Sequence, residues 1–251
     1  MKNLPSARAQ LREVGTLQVC WRALGLALAL AAALVAAPAR ADDYPSRPIR
    51  LVVPYAAGGG ADSVARIVAK RVSETIGQPI VIENRGGGGS IIGTELVNTS
   101  EPDGYTLLLG QSGPISINPA IYKTLPYDPV RDFAPVAMTT SYPYIMVVNP
   151  ALGVKTLHEF VALAKRKPGK LNYGSTGVGA ANHLVTELFD RRAGIEMTHI
   201  PYRGTALAVT DLIAGQVQMV FADPISALPY INAGTLLALA VTSKGPLAGR
   251  P

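Results

Sequence analysis

Two glycine-rich segments of this chain have the composition of loops that bind anions through the backbone. The first, residues 54–62, follows the apolar run Ile49–Val53, and the second, residues 174–179, follows Leu171–Tyr173. Glycine leaves backbone N–H groups uncovered, and the start of the following helix adds unpaired N–H groups and a positive dipole end. Such a loop can hold a carboxylate without a formal cation. Four or five hydrogen bonds to a charged group, each contributing roughly 1.5–3 kcal/mol, suffice for micromolar binding after ordering costs.

The two loops occupy matching positions, each at the carboxyl end of a predicted strand, where ligands of open α/β sheets bind. We therefore expect them to face each other and to hold a molecule with two polar ends, such as a dicarboxylate or an amino acid. The candidate ligand contacts in and beside the loops are Tyr55, Ala56, Ala57, Gly58, Gly59, Asp62, Ser175, Thr176, Gly177, Gly179, His183 and Asp223.

Several of these side chains also have an ordinary structural interpretation. Tyr55 either forms a wall of the ligand site or packs the end of its strand. Asp62 either caps a helix or bonds to an ammonium or hydroxyl group of the ligand. The hydroxyls of the second loop either donate to a carboxylate or only form the turn. His183 either faces the ligand or packs, and Asp223 either faces the cleft or caps a helix.

Motifs for nucleotide, metal and nucleophilic chemistry do not occur in the sequence. No glycine group fits G-x-G-x-x-G, and neither G-x-x-x-x-G-K-[ST] nor H-E-x-x-H is present. The three histidines lack metal-ligand spacing, so we predict no metal and no other cofactor. Ser175, His183 and Asp223 supply the residue types of a hydrolytic triad, but no G-x-S-x-G elbow surrounds the serine. Binding is therefore favoured over catalysis, and a hydrolase is the weaker alternative.

The order of the apolar patterns predicts two successive α/β units. In the first, strands at 49–53, 79–82 and 105–109 alternate with helices, of which the first is expected to have Asp62 or Ser63 as its cap and to end at Gly77. The second unit has strands at 144–148, 171–173, 197–200, 218–221 and 236–242, with helices at 156–165, after the second loop, at 203–214 and at 225–231. The predicted class is α/β with two lobes, each a mixed sheet flanked by helices, and a cleft between them.

Residues 1–41 have the three parts of a secretory signal peptide: a basic start, a short apolar run and an Ala-x-Ala ending. The apolar run is shorter than the roughly 18 residues of a membrane span, which disfavours an anchoring helix. We expect cleavage after Ala41 and export to the periplasm. The leader contains Cys20, the single cysteine, so the mature chain has no thiol. It keeps 18 of the 23 basic and 16 of the 17 acidic residues, a balance that gives no support for nucleic-acid binding.

The predicted organisation is a leader at 1–41, a first lobe at 42–143, a second lobe at 144–235 and a crossing back towards the first lobe at 236–251. Residues 243–251 have a loop-like composition and follow a strand that should lie inside a sheet. We therefore expect the chain to be a fragment of a longer protein, without the C-terminal part of the first lobe.

Several short motifs occur in a fixed order along the chain. They are Tyr55-Ala56-Ala57-Gly58-Gly59 with Asp62, Glu83-Asn84-Arg85, Pro102-Asp103-Gly104-Tyr105, Tyr173-Gly174-Ser175 with Gly177, Gly179 and His183, and Pro201-Tyr202-Arg203-Gly204. Over nearly all of residues 44–243, this ordered set resembles the Bug-type substrate-binding receptors of tripartite tricarboxylate transporters. One departure is Gly86, where the family usually has proline.

The resemblance implies a type II periplasmic-binding-protein fold in which the two loops bind a carboxylate between the lobes. It adds Asn84, Tyr202, Arg203 and Gly204 to the candidate contacts, although an arginine in the position of Arg203 is more often a solvated helix start. It also implies a monomer that delivers its ligand to membrane permease subunits. A receptor of the same fold that passes a ligand signal to a membrane kinase is an alternative that the sequence leaves open.

Overall fold

The computed structural model describes residues 43–247, so the predicted leader at 1–41 lies outside the described residues. The first part of the described chain contains β1 (Ile49–Val53), α1 (Gly60–Ile76), β2 (Ile80–Asn84), α2 (Ile91–Asn98) and β3 (Thr106–Leu108). These strands form a sheet in the order β2-β1-β3, with both pairs parallel. We call this sheet and its helices the first lobe.

A short helical segment and a long irregular one follow the first sheet. The segment Gly113–Ile117 forms one turn of π-helix and continues into α3 (Asn118–Ile121). Residues 122–144 then contain no helix or strand and lead into the second sheet. Neither helical piece is predicted from the sequence, because Pro114 and Pro119 have the appearance of loop residues, although proline is well tolerated in the first turn of a helix.

The second lobe contains a mixed sheet with the strand order β6-β5-β7-β4-β8. Its elements are β4 (Ile145–Val148), α4 (Leu157–Arg166), β5 (Asn172–Ser175), α5 (Ala181–Ala193), β6 (Thr198–Pro201), α6 (Thr205–Ile213), β7 (Met219–Ala222), α7 (Pro224–Asn232) and β8 (Leu237–Val241). Strand β5 runs parallel to β6 and β7, whereas β4 runs antiparallel to β7 and β8. The prediction of two α/β lobes is confirmed. A mixed sheet is correct for the second lobe, but the three described strands of the first are wholly parallel.

The core of the second lobe lies on both faces of its sheet. In β4, Ile145 and Val147 pack on one side with α6 and α7, while Met146 and Val148 pack on the other side with α4. Because helices cover both faces, the strand is an unbroken apolar run rather than an alternating one. The first lobe has a smaller core around β1. Within residues 43–247, none of the helices combines the length and hydropathy of a membrane span.

Candidate ligand-binding site

The first glycine loop connects β1 to α1, and Asp62 fixes its shape. Gly58 has a φ of +84°, a conformation that glycine adopts without steric cost. The Asp62 carboxylate accepts a hydrogen bond from the Gly58 N–H at 3.0 Å and pairs with Arg66. Burial works to raise the pKa of Asp62, but the bonds from Arg66 and Gly58 outweigh it and lower that pKa. The prediction that Asp62 or Ser63 caps α1 is wrong, because the helix begins earlier, with Gly59 as its N-cap.

The second glycine loop connects β5 to α5, and its hydroxyl groups bond to neighbouring parts of the second lobe. Ser175 is fully buried; its Oγ lies 2.6 Å from His199 Nε2 and accepts from the Gly177 N–H at 3.1 Å. Thr176 donates its backbone N–H and its hydroxyl to Asn182 Oδ1, at 3.2 and 3.1 Å. Since Asn182 lies in the first turn of α5, it joins the loop to the helix start.

Two neighbouring histidines and a tyrosine form an aromatic cluster behind the second loop. The ring centroids of His183 and His199 are 4.3 Å apart, and His199 stacks on Tyr173 at 4.9 Å. Burial, with His183 close by, lowers the pKa of His199 to about 4, so this ring is neutral at pH 7. His183 Nδ1 accepts from the Gly179 N–H at 3.4 Å. These contacts place His183 in the packing behind the loop.

The segment 202–204 precedes α6 and contacts the first loop through its backbone. The Arg203 carbonyl accepts a hydrogen bond from the Ala56 N–H at 2.8 Å. A Cβ on Gly204 would lie 3.0 Å from that of Ala56, so glycine permits this close approach. The Tyr202 hydroxyl donates to Asp211 in α6 at 2.7 Å. The helix predicted from about Arg203 is present and begins at Thr205, and the carbonyl of Arg203 joins the two lobes.

Asp223 is the N-cap of α7, and the same corner touches the first lobe. Its carboxylate accepts from the Ser226 N–H at 2.8 Å and from the Ser226 hydroxyl at 2.9 Å. The Ser226 Oγ in turn accepts from the Gly60 N–H at 3.1 Å, so the starts of α1 and α7 are bonded to each other. Any side chain at position 60 would overlap the Asp223 carboxylate.

Glycines bring the second loop against residues 86–90 of the first lobe. A Cβ on Gly177 would lie 3.3 Å from the Gly89 Cα, and a Cβ on Gly89 would overlap the carbonyl oxygen of Val178. The Tyr122 hydroxyl donates to that same carbonyl at 3.3 Å. The lobes therefore meet through backbone, and side chains at these positions would hold them apart.

A cavity of about 20 Å³, room for about one water molecule, lies between the facing loops. The starts of α1, α5, α6 and α7 all contribute to its wall, and each start has a positive dipole end. In the first turn of a helix the N–H groups lack intrahelical partners; here those of Gly60 and Ser226 are bonded to Ser226 and Asp223. A larger hollow of about 510 Å³ adjoins it. Five predicted contacts line the cavity: Tyr55, Ala56, Gly59, Thr176 and Asp223.

The remaining predicted contacts are not part of the described wall of the cavity. Asn84 illustrates their position, because its side-chain amide donates to the Tyr55 carbonyl at 3.2 Å and so supports the first loop from behind. The others are Ala57, Gly58, Asp62, Ser175, Gly177, Gly179, His183, Tyr202, Arg203 and Gly204.

Sequence reasoning misses several residues of the wall. Gln111 precedes the helical segment at 113–121, and Tyr142 and Tyr144 lie at the end of the irregular stretch. Asn182 and Thr205 come from helix starts. The last two could have been found by inspecting the first turn after each glycine segment. The other three carry no local signal, because only the packing of the two lobes brings them to the cavity.

The triad considered in the sequence is not assembled. Ser175 bonds to His199 rather than to His183, and Asp223 bonds to Ser226. Among residues 43–247, no three His, Cys, Asp or Glu side chains are grouped so as to hold a metal ion. The arrangement instead brings four helix starts to one cavity, and helix starts are suited to holding an anion.

A family model described as the tripartite tricarboxylate transporter family receptor, TctC, matches residues 64–251 of this chain. The chain belongs to this receptor family. The Protein BugT of Bordetella pertussis is 39% identical over 215 residues, which are 85% of this chain and 66% of that protein. The chain therefore spans slightly less than two thirds of the length of this relative.

Solved structures agree with the family and with the two-lobed fold. The R. palustris protein Rpa4515, solved with adipate, is 38% identical with a TM-score of 0.79, and the match covers 83% of this chain and 71% of that one. The periplasmic binding protein BugD is 35% identical, also with a TM-score of 0.79, over 82% of this chain and 68% of that one. The family resemblance inferred from the ordered motifs is thus confirmed.

Proposed function

We propose that this chain is an extracytoplasmic solute-binding receptor that captures a small carboxylate for a tripartite tricarboxylate-type transporter. The proposed ligand is a dicarboxylate, a tricarboxylate or an amino acid. The observation that carries the proposal is the convergence of four helix starts on one cavity between the lobes. A carboxylate bound there is stabilised by backbone N–H groups and by dipole ends, as at other helix N-termini that bind anions. The adipate bound to the similar protein Rpa4515 supports this ligand class.

Capture is proposed to proceed by closure of the lobes over the ligand. The cavity alone is smaller than a dicarboxylate, so the bound ligand is proposed to extend into the adjoining hollow of about 510 Å³, and the lobes are proposed to part to admit it. Backbone contacts such as Ala56 N–H to the Arg203 carbonyl at 2.8 Å would form on closure. Glycine at the contact points lets the loops meet without steric hindrance. Behind the second loop, His199 bonds to Ser175 and His183 accepts from the Gly179 N–H, so the two rings support the loop.

The receptor is proposed to act in the periplasm, as the similar protein BugD does by its description. A leader cleaved after Ala41 would direct it there, and the mature chain would comprise a first lobe at 42–143, a second at 144–235 and a return crossing from 236. Permease subunits of the membrane are the proposed partners, and a monomer is the proposed state. Substrate conversion forms no part of the proposal, because the family is one of receptors.

A ligand screen tests the proposal. Thermal unfolding of the full chain is measured with and without each of a set of organic acids and amino acids. A carboxylate that raises the melting temperature is then recovered from the complex, and its mass is determined by mass spectrometry. We expect one unchanged ligand per chain. A chemically altered ligand would indicate an enzyme, and the absence of any stabilising carboxylate would contradict the proposal.

Transport is tested separately from binding. Deleting the gene from its host should abolish uptake of the identified ligand at low external concentration. Normal uptake with loss of a transcriptional response to the ligand would instead support a sensing receptor.

A further inference from the structure

The cavity contains an acidic side chain whose presence a purely anionic ligand does not explain. Asp223 is only 3% exposed and lines the cavity. Among the described residues of the cavity wall it is the only one with a charged side chain, since the wall contains no lysine, arginine or histidine and no second acidic residue. A second carboxylate brought close to it would be repelled.

Capping of α7 does not by itself require an acid. Serine and asparagine are about as good as aspartate at an N-cap, and neither adds a negative charge to the site. The two bonds from Ser226 occupy one acceptor position on each Asp223 oxygen. Each carboxylate oxygen can accept two hydrogen bonds, so both keep capacity for a further donor.

The side chains around Asp223 suit a cation. Three tyrosines, Tyr55, Tyr142 and Tyr144, line the same small cavity, and the faces of aromatic rings attract ammonium groups. Tyr142 lies close enough to respond to the acid: burial raises the pKa of Tyr142 to about 12, and the charge of Asp223 adds to that shift. No basic side chain of the wall competes for the same position.

We infer that Asp223 selects ligands that carry an ammonium group beside their carboxylate, so that the bound molecule is a zwitterionic amino acid. The ammonium bonds to Asp223 between the tyrosine rings, and the carboxylate lies against Thr176 and the starts of α5 and α6. This assignment rests on the proposed function, because it concerns the same cavity. Specificity here arises from repulsion of a plain diacid as much as from attraction of the amine.

The test compares matched ligands with and without the amino group. Binding of L-aspartate, L-glutamate and L-alanine to the full chain is measured by calorimetry against succinate, glutarate, propionate and L-malate. We expect at least one amino acid to bind about 10-fold or more tightly than its counterpart without the amine, the discrimination typical of a hydrogen bond to a charged group. Asp223→Asn, which keeps an N-cap and nearly the same shape, should remove that preference and leave the diacids bound equally well or better.

Asp190→Asn serves as the control, since Asp190 is a buried carboxylate of the same lobe that does not line the cavity. It should leave the preference unchanged. If the parent chain binds every amine-free compound as tightly as its matching amino acid, or more tightly, the ammonium assignment is overturned and the carboxylate receptor is left intact. Malate that binds as well as aspartate would overturn it too, because a hydroxyl would then suffice. Binding of none of these compounds, nor of other carboxylates, would contradict the proposed function itself.

Discussion

A single methyl group at Gly89 should weaken ligand capture strongly while leaving the fold in place. A Cβ there would overlap the Val178 carbonyl oxygen, so the second loop has to withdraw by roughly 1 Å to reach van der Waals contact. That movement would also break the hydrogen bond from the Tyr122 hydroxyl to the same carbonyl. Overpacking contributes about 1–3 kcal/mol and the lost hydrogen bond about 1 kcal/mol. The closed state should therefore lose about 2–4 kcal/mol, which reduces affinity roughly 30- to 1,000-fold.

The chain offers a matched control for the backbone part of this effect. Gly89 has a φ of +62° and Gly194 has a φ of +61°, but a Cβ on Gly194 would meet nothing within 4 Å. Gly89→Ala and Gly194→Ala thus share the strain of placing alanine in the left-handed region, and only the first touches the opposite lobe.

The assay is calorimetric binding of the carboxylate found by the thermal screen, together with melting of each variant with and without it. Both variants should lose a few degrees of ligand-free melting temperature. Only Gly89→Ala should also lose the ligand-induced rise and the affinity. If the affinities of the two variants agree within about 3-fold, the prediction is wrong, because ligand capture then does not require the lobes to meet at Gly89.

Two further predictions concern titrating groups behind the second loop. Burial raises the pKa of Asp190 to about 6. The folded state therefore binds this proton more tightly than the unfolded state does, and the stability that the proton contributes is lost as the pH rises from about 4 through 6. Asp190→Asn should therefore stabilise the chain by about 1–2 kcal/mol at pH 8 and by little at pH 4, measured by urea unfolding; an equal effect at both pH values would refute this. The pKa of His199 is lowered to about 4, chiefly by burial, so folding disfavours its protonated form and stability falls as pH drops from about 6.5 to 4. His199→Gln can keep the bond to Ser175 but does not take up this proton. Between pH 6.5 and 4 its free energy of unfolding should therefore rise by about 1–3 kcal/mol relative to that of the parent. A difference in unfolding free energy that does not change with pH would contradict the lowered pKa.

The fold is largely predictable because its signals are local. Strand β1 matches its predicted bounds, since five apolar-rich residues end at Pro54, and Gly77 ends α1 in the left-handed conformation that glycine favours. Chemistry at helix ends is less certain from sequence. Asp62 has the residue type of an N-cap, but the flexible glycines before it let α1 begin at Gly60, which turns the carboxylate back towards Gly58.

The site is predictable only in part, for a physical reason. The glycine loops can be recognised in the sequence because several of their backbone conformations require glycine, and in the structure the two loops meet between the lobes. Tyr142 and Gln111 carry no such demand; they reach the cavity through the packing of segments that are far apart in the sequence. The pairing of β5 with β6 likewise brings His199, and not His183, to Ser175. Spacing along the chain does not reveal this long-range contact.

The most direct test of the account is a crystal structure of the chain with the carboxylate that stabilises it most. The ligand should lie between the lobes, with carboxylate oxygens about 2.7–3.1 Å from N–H groups of the glycine loops or of the helix starts at Asn182 and Thr205. A ligand bound elsewhere, or held chiefly by lysine or arginine side chains, would contradict it.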